Sequence, residues 1–132
     1  MQEGWHGDDY LILFNEPEMA QVSTGYSIAE FLPGHVIVGL RGWDDFIVRD
    51  ERGSMFSSPT VPLDARHLSP FSLPKEPRLK ADSRFSGKIK WYVKPLVFGG
   101  DPHLGENVIW ISQEQHAQLV RWWNAQYRSL KK

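Results

Sequence analysis

The chain has 132 residues, 41% of them hydrophobic and 23% charged, with 15 Lys and Arg against 16 Asp and Glu. That size and composition fit one globular domain and exclude a disordered chain. A net charge of -1 gives no global field for nucleic acid or an anionic membrane, the lack of Cys excludes disulfides and thiolate zinc sites, and no apolar run approaches a bilayer span.

Met1 to Trp5 shows no basic region followed by an apolar core, so no secretory signal is expected and the expected location is cytoplasmic. Tyr10 to Phe14 is the first predicted strand. Asn15 then caps a short helix with Pro17 in its first turn and Glu18 at capping-box spacing; Met19 and Val22 form its inward face and Gly25 ends it. Leu32-Pro33-Gly34 reads as a turn. Val36 to Gly39 and Asp45 to Arg49 read as a hairpin around Arg41-Gly42-Trp43-Asp44. Met55-Phe56 begins a short strand, and Thr60 to Leu63 reads as another, at an edge because of Pro59 and Pro62.

Residues 64–87 carry Pro70, Pro74 and Pro77 without a clear hydrophobic period, so they are expected to form a long surface connection, either functional or partly mobile. Lys88 to Lys94 alternates, with Ile89, Trp91 and Val93 on one face and Lys88, Lys90, Tyr92 and Lys94 on the other. Leu96 to Phe98 is expected to continue that strand, Gly99-Gly100-Asp101-Pro102 to turn, and Asn107 to Ile111 to form one more strand. Ser112 and Gln115 have capping-box spacing at the head of the strongest predicted helix, whose stripe reads His116, Leu119, Val120, Trp123, Tyr127 and Leu130. Arg121, Arg128, Lys131 and Lys132 fall late in that helix, where positive charge suits its dipole.

Few residues stand in a pattern that carries chemistry. His6, His35, His67, His103 and His116 show no metal-ligand spacing, and no metal or other cofactor is expected. Adjacent carboxylates such as Asp8-Asp9 and Asp44-Asp45 point to opposite faces of a strand, a poor arrangement for two-carboxylate catalysis. No Ser lies in a nucleophile elbow, and the Gly99-Gly100 turn lacks the rest of a phosphate loop. Lys88, Lys90 and Lys94 around Tyr92 match a nucleic-acid track, but Lys on an outer face also protects a strand edge, and the near-neutral charge disfavours nucleic acid. Arg41, Trp43, Asp44 and Asp45 place an aromatic and paired charges in one turn, the residue types that anchor protein interfaces. Trp122 cannot share the direction of Trp123 on a helix, so it is a peripheral candidate for the same role; Trp5 and Trp110 add aromatic area.

The stretch from Gly4 to Leu63 resembles the latter half of the SUKH superfamily, which includes the yeast cell-wall-synthesis regulator and many bacterial immunity proteins. The resemblance lies in Gly7 with Asp8 to Phe14, Glu16 to Met19, Tyr26, Glu30 to Gly34, Val36 to Gly39, Gly42, Phe46 to Val48, Asp50 and Val61-Pro62. Lys94 to Pro102, Asn107, His116, Leu119-Val120, Trp123-Asn124 and Tyr127-Arg128 look like a tail of some bacterial members. Two departures stand out: the family's opening helix has no counterpart here, and Leu40 to Asp44 replaces its Gly-rich turn. The resemblance implies binding and neutralising a protein partner such as a secreted toxin domain, a role that needs no catalytic centre.

The expectation is therefore a single α+β domain over residues 1–132. A mixed, mainly antiparallel sheet of about five or six strands carries helices on one face, including a long C-terminal helix; either that helix substitutes for the absent opening one or the chain is a reduced member. The expected function is non-catalytic protein binding, of the toxin-immunity kind, through Arg41, Trp43, Asp44, Asp45 and Trp122, with the protein not an enzyme. Two alternatives remain open: a small hydrolase or ligand-binding domain in which His35, His67 or His103 meets Asp44 or Asp50, and a structural or scaffolding module. A homodimer with an apolar interface is the expectation where the helix leaves part of the sheet uncovered.

Overall fold

A computed structural model describes residues 1–73, 77–101 and 105–130. The elements run β1 (Gln2–His6), β2 (Asp9–Leu13), α1 (Glu16–Gly25), α2 (Ile28–Phe31), β3 (Val36–Arg41), β4 (Asp45–Arg49), β5 (Met55–Pro59), β6 (Ser69–Pro70), β7 (Ile89–Tyr92), β8 (Val108–Ile111) and α3 (Gln113–Leu130). Strands β1 to β6 form one six-stranded sheet in sequence order, antiparallel at every pairing, while β7 and β8 form a separate two-stranded sheet. The α+β class and the long C-terminal helix agree with the sequence.

Strand alternation divides the large sheet into two apolar faces. Tyr10, Ile12, Phe14, Ile37, Leu40, Phe46 and Val48 face the helices and β7–β8, packing with Tyr26, Ile28, Phe31, Ile89, Trp91, Ala117 and Val120. Leu11, Leu13, Val38 and Ile47 face the other way. Strands β2, β3 and β4 are thus buried on both sides and need two covers.

The first cover begins with α1, which opens on the expected capping box between Asn15 and Glu18. Ser23 on α1 accepts the Ile37 N–H of β3 at 2.8 Å, fixing the helix against the sheet. Helix α3 completes this cover, capped by Ser112 and Gln115. Its contact face differs from the predicted stripe: His116, Ala117, Val120 and Asn124 are buried, Trp123 is half-buried at the margin, and Leu130 is 73% exposed. The centre of the face is polar because Asn124 has a specific task. Its Oδ1 accepts the Leu63 N–H at 2.6 Å, and its Nδ2 donates to the Thr60 and Val120 carbonyls at 2.8 and 2.9 Å. These bonds satisfy the chain after β5, which is why Thr60 to Leu63 bends instead of forming the expected strand.

The second cover comes from the described parts of the 64–87 segment, residues 64–73 and 77–87. Phe71, Leu73 and Leu79 pack on Leu11, Leu13, Val38 and Ile47. The segment enters at one edge, where Ser69 pairs with Ser57 and Pro70 with Phe56. It arrives at the opposite edge, where Lys80 and Trp5 exchange backbone bonds of 2.8 and 2.9 Å. Gly4 permits the arrival, since a Cβ there would meet the Lys80 carbonyl oxygen at 2.6 Å. Asp82 then accepts the Trp5 indole N–H, and Glu3 accepts from Ser86 and Gly87. The expected surface connection is therefore a sheet cover. Its apolar residues show no period because they sit on a crossing chain and not along a helix or strand. Pro74, within the same expected connection, lies outside the described residues.

Two other expectations change. Gln2–His6 forms a strand that its mixed residues do not signal, and Leu96–Phe98 forms a 3-10 turn in place of a strand continuation, with Phe98 N–H donating to Pro95. Pro102 and His103 of the following turn, and Lys131 and Lys132, lie outside the described residues.

His116 sits fully buried among Tyr26, Phe46 and Trp91, with its Nδ1 2.6 Å from the Tyr26 hydroxyl and its Nε2 without a partner among the described residues. Burial pushes its pKa down to about 3, so the ring is neutral, and burial pushes the Tyr26 phenol up.

Two outcomes follow from this packing. Asn124→Leu strands the Leu63 N–H and the Thr60 carbonyl, and urea unfolding is expected to show a loss of about 2–4 kcal/mol. A loss below about 0.5 kcal/mol would mean that those groups find other partners. The second outcome concerns pH. The folded His116 pKa lies below the unfolded value of about 6.5. Unfolding therefore takes up a proton between those limits, and this contribution is lost as pH falls from about 6.5 toward 3, by up to about 1.4 kcal/mol per pH unit. Denaturation across that range should show a shallower pH slope in His116→Gln than in the native chain.

Candidate functional site

The β3–β4 connection is a three-residue loop, Gly42-Trp43-Asp44, because Arg41 and Asp45 are paired. Gly42 and Trp43 both take left-handed backbone, at φ 58° and 63°. For Gly this costs little, but for Trp it is strained. Aromatic packing holds the strained residue. The Trp43 ring stacks on Tyr10 at 4.8 Å and 15°, and meets Trp5, Phe85 and Trp110 edge-on. Its indole N–H has no acceptor among the described residues, so ring packing, with the Lys90 ammonium 5.9 Å from the ring centre, keeps it in place.

The inward turn of Trp43 removes it as an interface anchor, since only 8% of it is exposed. It also leaves Asp44 and Asp45 at the end of the sheet, bordering a cavity of about 250 Å³ with Pro59, Thr60, Val61, Trp91, Tyr92 and Pro95. Thr60 N–H donates to the Asp44 carbonyl at 2.9 Å and fixes the loop to the chain after β5.

The two carboxylates have different surroundings. Asp44 lies 3.5 Å from Lys90 Nζ, which also donates to the Tyr92 hydroxyl at 3.2 Å and lies over the Tyr92 ring. Asp45 shares a strand face with Arg41, its partner in register. The Arg41 guanidinium is 3.9 Å from Asp9 and 5.3 Å from the Phe71 ring centre. Adjacent residues thus take opposite sides, as strand alternation requires, yet both border one cavity because it opens at the strand ends.

Burial raises the Asp44 pKa by more than Lys90 lowers it, and burial raises Asp45 by more than Arg41 lowers it. Burial alone would lower Lys90, but Asp44 and Tyr92 reverse the sign and raise it. This wall of the cavity is therefore made of charges held partly out of water, beside the apolar sides of Pro59, Val61, Trp91 and Pro95.

Of the residues expected at an interface, Arg41, Asp44 and Asp45 come together at this end of the sheet, Trp43 lies beneath them in the core, and Trp122 does not border the cavity. Trp122 is 54% exposed on α3, edge-on to Trp123, which in turn packs on Phe98. Lys90 and Tyr92 were legible as neighbours on one face of β7, but not as the partners of Asp44. Their commitment to Asp44 also occupies the middle of the proposed basic track. His35 and Asp50 border one shallow depression, but Asp50 already accepts the Arg52 and Ser54 N–H groups and closes its own turn. Among the described residues, no three His, Asp or Glu side chains form a metal-binding group, and no helix is long and apolar enough to cross a membrane.

The raised pKa of Asp45 has a measurable consequence. The folded chain binds that proton more tightly than the unfolded chain, so the ionised carboxylate costs stability above the carboxylate range. Asp45→Asn is expected to raise the urea midpoint at pH 7, with the gain shrinking as pH falls through the carboxylate range. A lower midpoint at pH 7 would mean that the Arg41 pairing outweighs the burial.

Comparison with protein-family models, curated proteins and solved structures finds no match to this chain.

Proposed function

We propose that this chain is a non-catalytic protein-binding domain of the SUKH kind, acting in the cytoplasm, and that its partner docks at the cleft between the β3–β4 loop and β7. The observation that carries the reading is the wall formed by Asp44, Asp45 and Tyr92, with Arg41 and Lys90 behind it and apolar Pro59, Val61 and Pro95 alongside. Fixed, partly desolvated charges beside aromatic and apolar surface suit the centre of a protein interface, where they select a partner of complementary charge. The cavity's 250 Å³ is smaller than the about 300–1,000 Å³ usual for small-molecule sites, which favours a side chain of a larger partner as its occupant. The resemblance carried by Asp8 to Phe14, Glu30 to Gly34 and Phe46 to Val48 supports a secreted toxin domain as that partner and immunity as the role.

The test begins with a photo-reactive phenylalanine at position 92, used to capture the partner in the native host. The captured protein is then purified and titrated against the unmodified chain by calorimetry. The expected result is one-to-one binding that Asp45→Lys weakens by at least about tenfold. Co-expression of the captured protein should arrest growth, with relief by the native chain and not by Asp45→Lys. Binding that is indifferent to Asp45→Lys but lost in Trp122→Ala would transfer the interface to the outer face of α3 and overturn the cleft assignment.

A further inference from the structure

The two-stranded sheet has one side committed and one side open. β7 borders the cleft through Trp91 and Tyr92, whereas Ile109 and Trp110 of β8 are 40% and 41% exposed. β8 is Val108-Ile109-Trp110-Ile111, with no charge, no proline and an unbroken register against β7. Charge, proline and bulges are devices by which natural edge strands avoid pairing, and the four-residue β8 carries none of these three.

Hydrogen-bond parity identifies which backbone groups are open. The Val93 N–H donates to the Asn107 carbonyl at 2.8 Å, and the same antiparallel register pairs Trp91 with Ile109 and Ile89 with Ile111. Asn107, Ile109 and Ile111 therefore direct their backbone groups toward β7, and Val108 and Trp110 direct theirs away. The outward groups have no partner among the described residues.

We infer that β8 pairs antiparallel with β8 of a second copy of this chain, in the register that sets Ile109 opposite Ile109. This inference goes beyond the partner-binding cleft and does not depend on it. A two-fold axis perpendicular to the sheet keeps each side chain on its own face, so the symmetric pairing must be centred on a residue and not between residues. Centred on Ile109, Val108 of one copy opposes Trp110 of the other, and those pairs exchange every outward N–H and C=O. Centred on Trp110, Val108 would oppose Ser112, whose N–H is already donated to Gln115. Charge agrees with the first register: Glu106 would oppose Ser112, and no two like charges face each other. The covered area is small. Trp110 and Ile109 are each about two-fifths exposed, so the interface falls in the class below about 1,200 Å² and the dimer is a reversible, concentration-dependent one.

The chain has no cysteine, which allows a direct test of register. Opposed residues in a non-hydrogen-bonded pair have Cα atoms about 4.5 Å apart, inside the disulfide range of about 4.4–6.8 Å. Under mild oxidation of the full chain, Ile109→Cys is expected to form a covalent dimer at least about tenfold faster than Trp110→Cys. Sedimentation equilibrium of the native chain should show a monomer–dimer equilibrium. Trp110→Ala removes the ring but keeps the outward N–H, whereas Trp110→Pro removes both while leaving the bonds to β7 intact. Trp110→Pro should therefore weaken the dimer by about a further tenfold. A native chain that sediments as monomer at every concentration, equal behaviour of Trp110→Ala and Trp110→Pro, or faster cross-linking of Trp110→Cys than of Ile109→Cys would each overturn the proposal.

Discussion

A six-stranded sheet whose central strands β2, β3 and β4 are apolar on both sides must be covered twice, and that requirement organises the rest of the chain. One cover is conventional: α1, α2, α3 and β7–β8 bury Tyr10, Ile12, Phe14, Ile37, Leu40, Phe46 and Val48. The other is made from a crossing segment whose Phe71, Leu73 and Leu79 lie over Leu11, Leu13, Val38 and Ile47. A crossing chain makes few internal backbone bonds, so it must be fastened at its ends. The pairing at Ser69–Pro70 supplies one fastening, and the Lys80–Trp5 bonds with Asp82 and Glu3 supply the other.

The same economy shapes the helix cover. Helix α3 meets the sheet with small and polar groups as well as apolar ones, because the chain leaving β5 brings unpaired backbone groups into the interior. Asn124 resolves this by bonding to both Thr60 and Leu63. That contact ties the C-terminal helix to the segment beside Asp44, since Thr60 N–H also bonds the Asp44 carbonyl. The core and the cleft are thus joined by one short run of hydrogen bonds.

Trp43 links packing to the candidate site in a different way. Its backbone strain is sustained by stacking on Tyr10 and by edge contacts with Trp5, Phe85 and Trp110. With the indole drawn inward, the charged residues on either side of it are left at the strand ends. Two surfaces result, the cleft on the β7 side and the open edge of β8, with Trp110 touching the aromatic cluster from the latter. A partner in the cleft and a second copy at the edge would therefore use opposite sides of the same hairpin.

By itself the sequence determined the elements whose signals are local. Short apolar runs bounded by turn residues placed β2, β3, β4 and β8, alternation placed β7, and the Asn15–Glu18 and Ser112–Gln115 spacings placed the starts of α1 and α3, because caps and strand signals depend on residues a few positions apart. It also brought Arg41, Asp44 and Asp45 to one turn, since a hairpin is a local structure. Only the tertiary structure decided which way Trp43 faces, that Asn124 and not Trp123 holds the centre of the α3 interface, and that Lys90 and Tyr92 meet Asp44. It alone laid Phe71, Leu73 and Leu79 over the sheet and made a strand of Gln2–His6, whose partner β2 provides the bonds. These outcomes depend on contacts between residues tens of positions apart, where burial and unsatisfied backbone groups outweigh local preference.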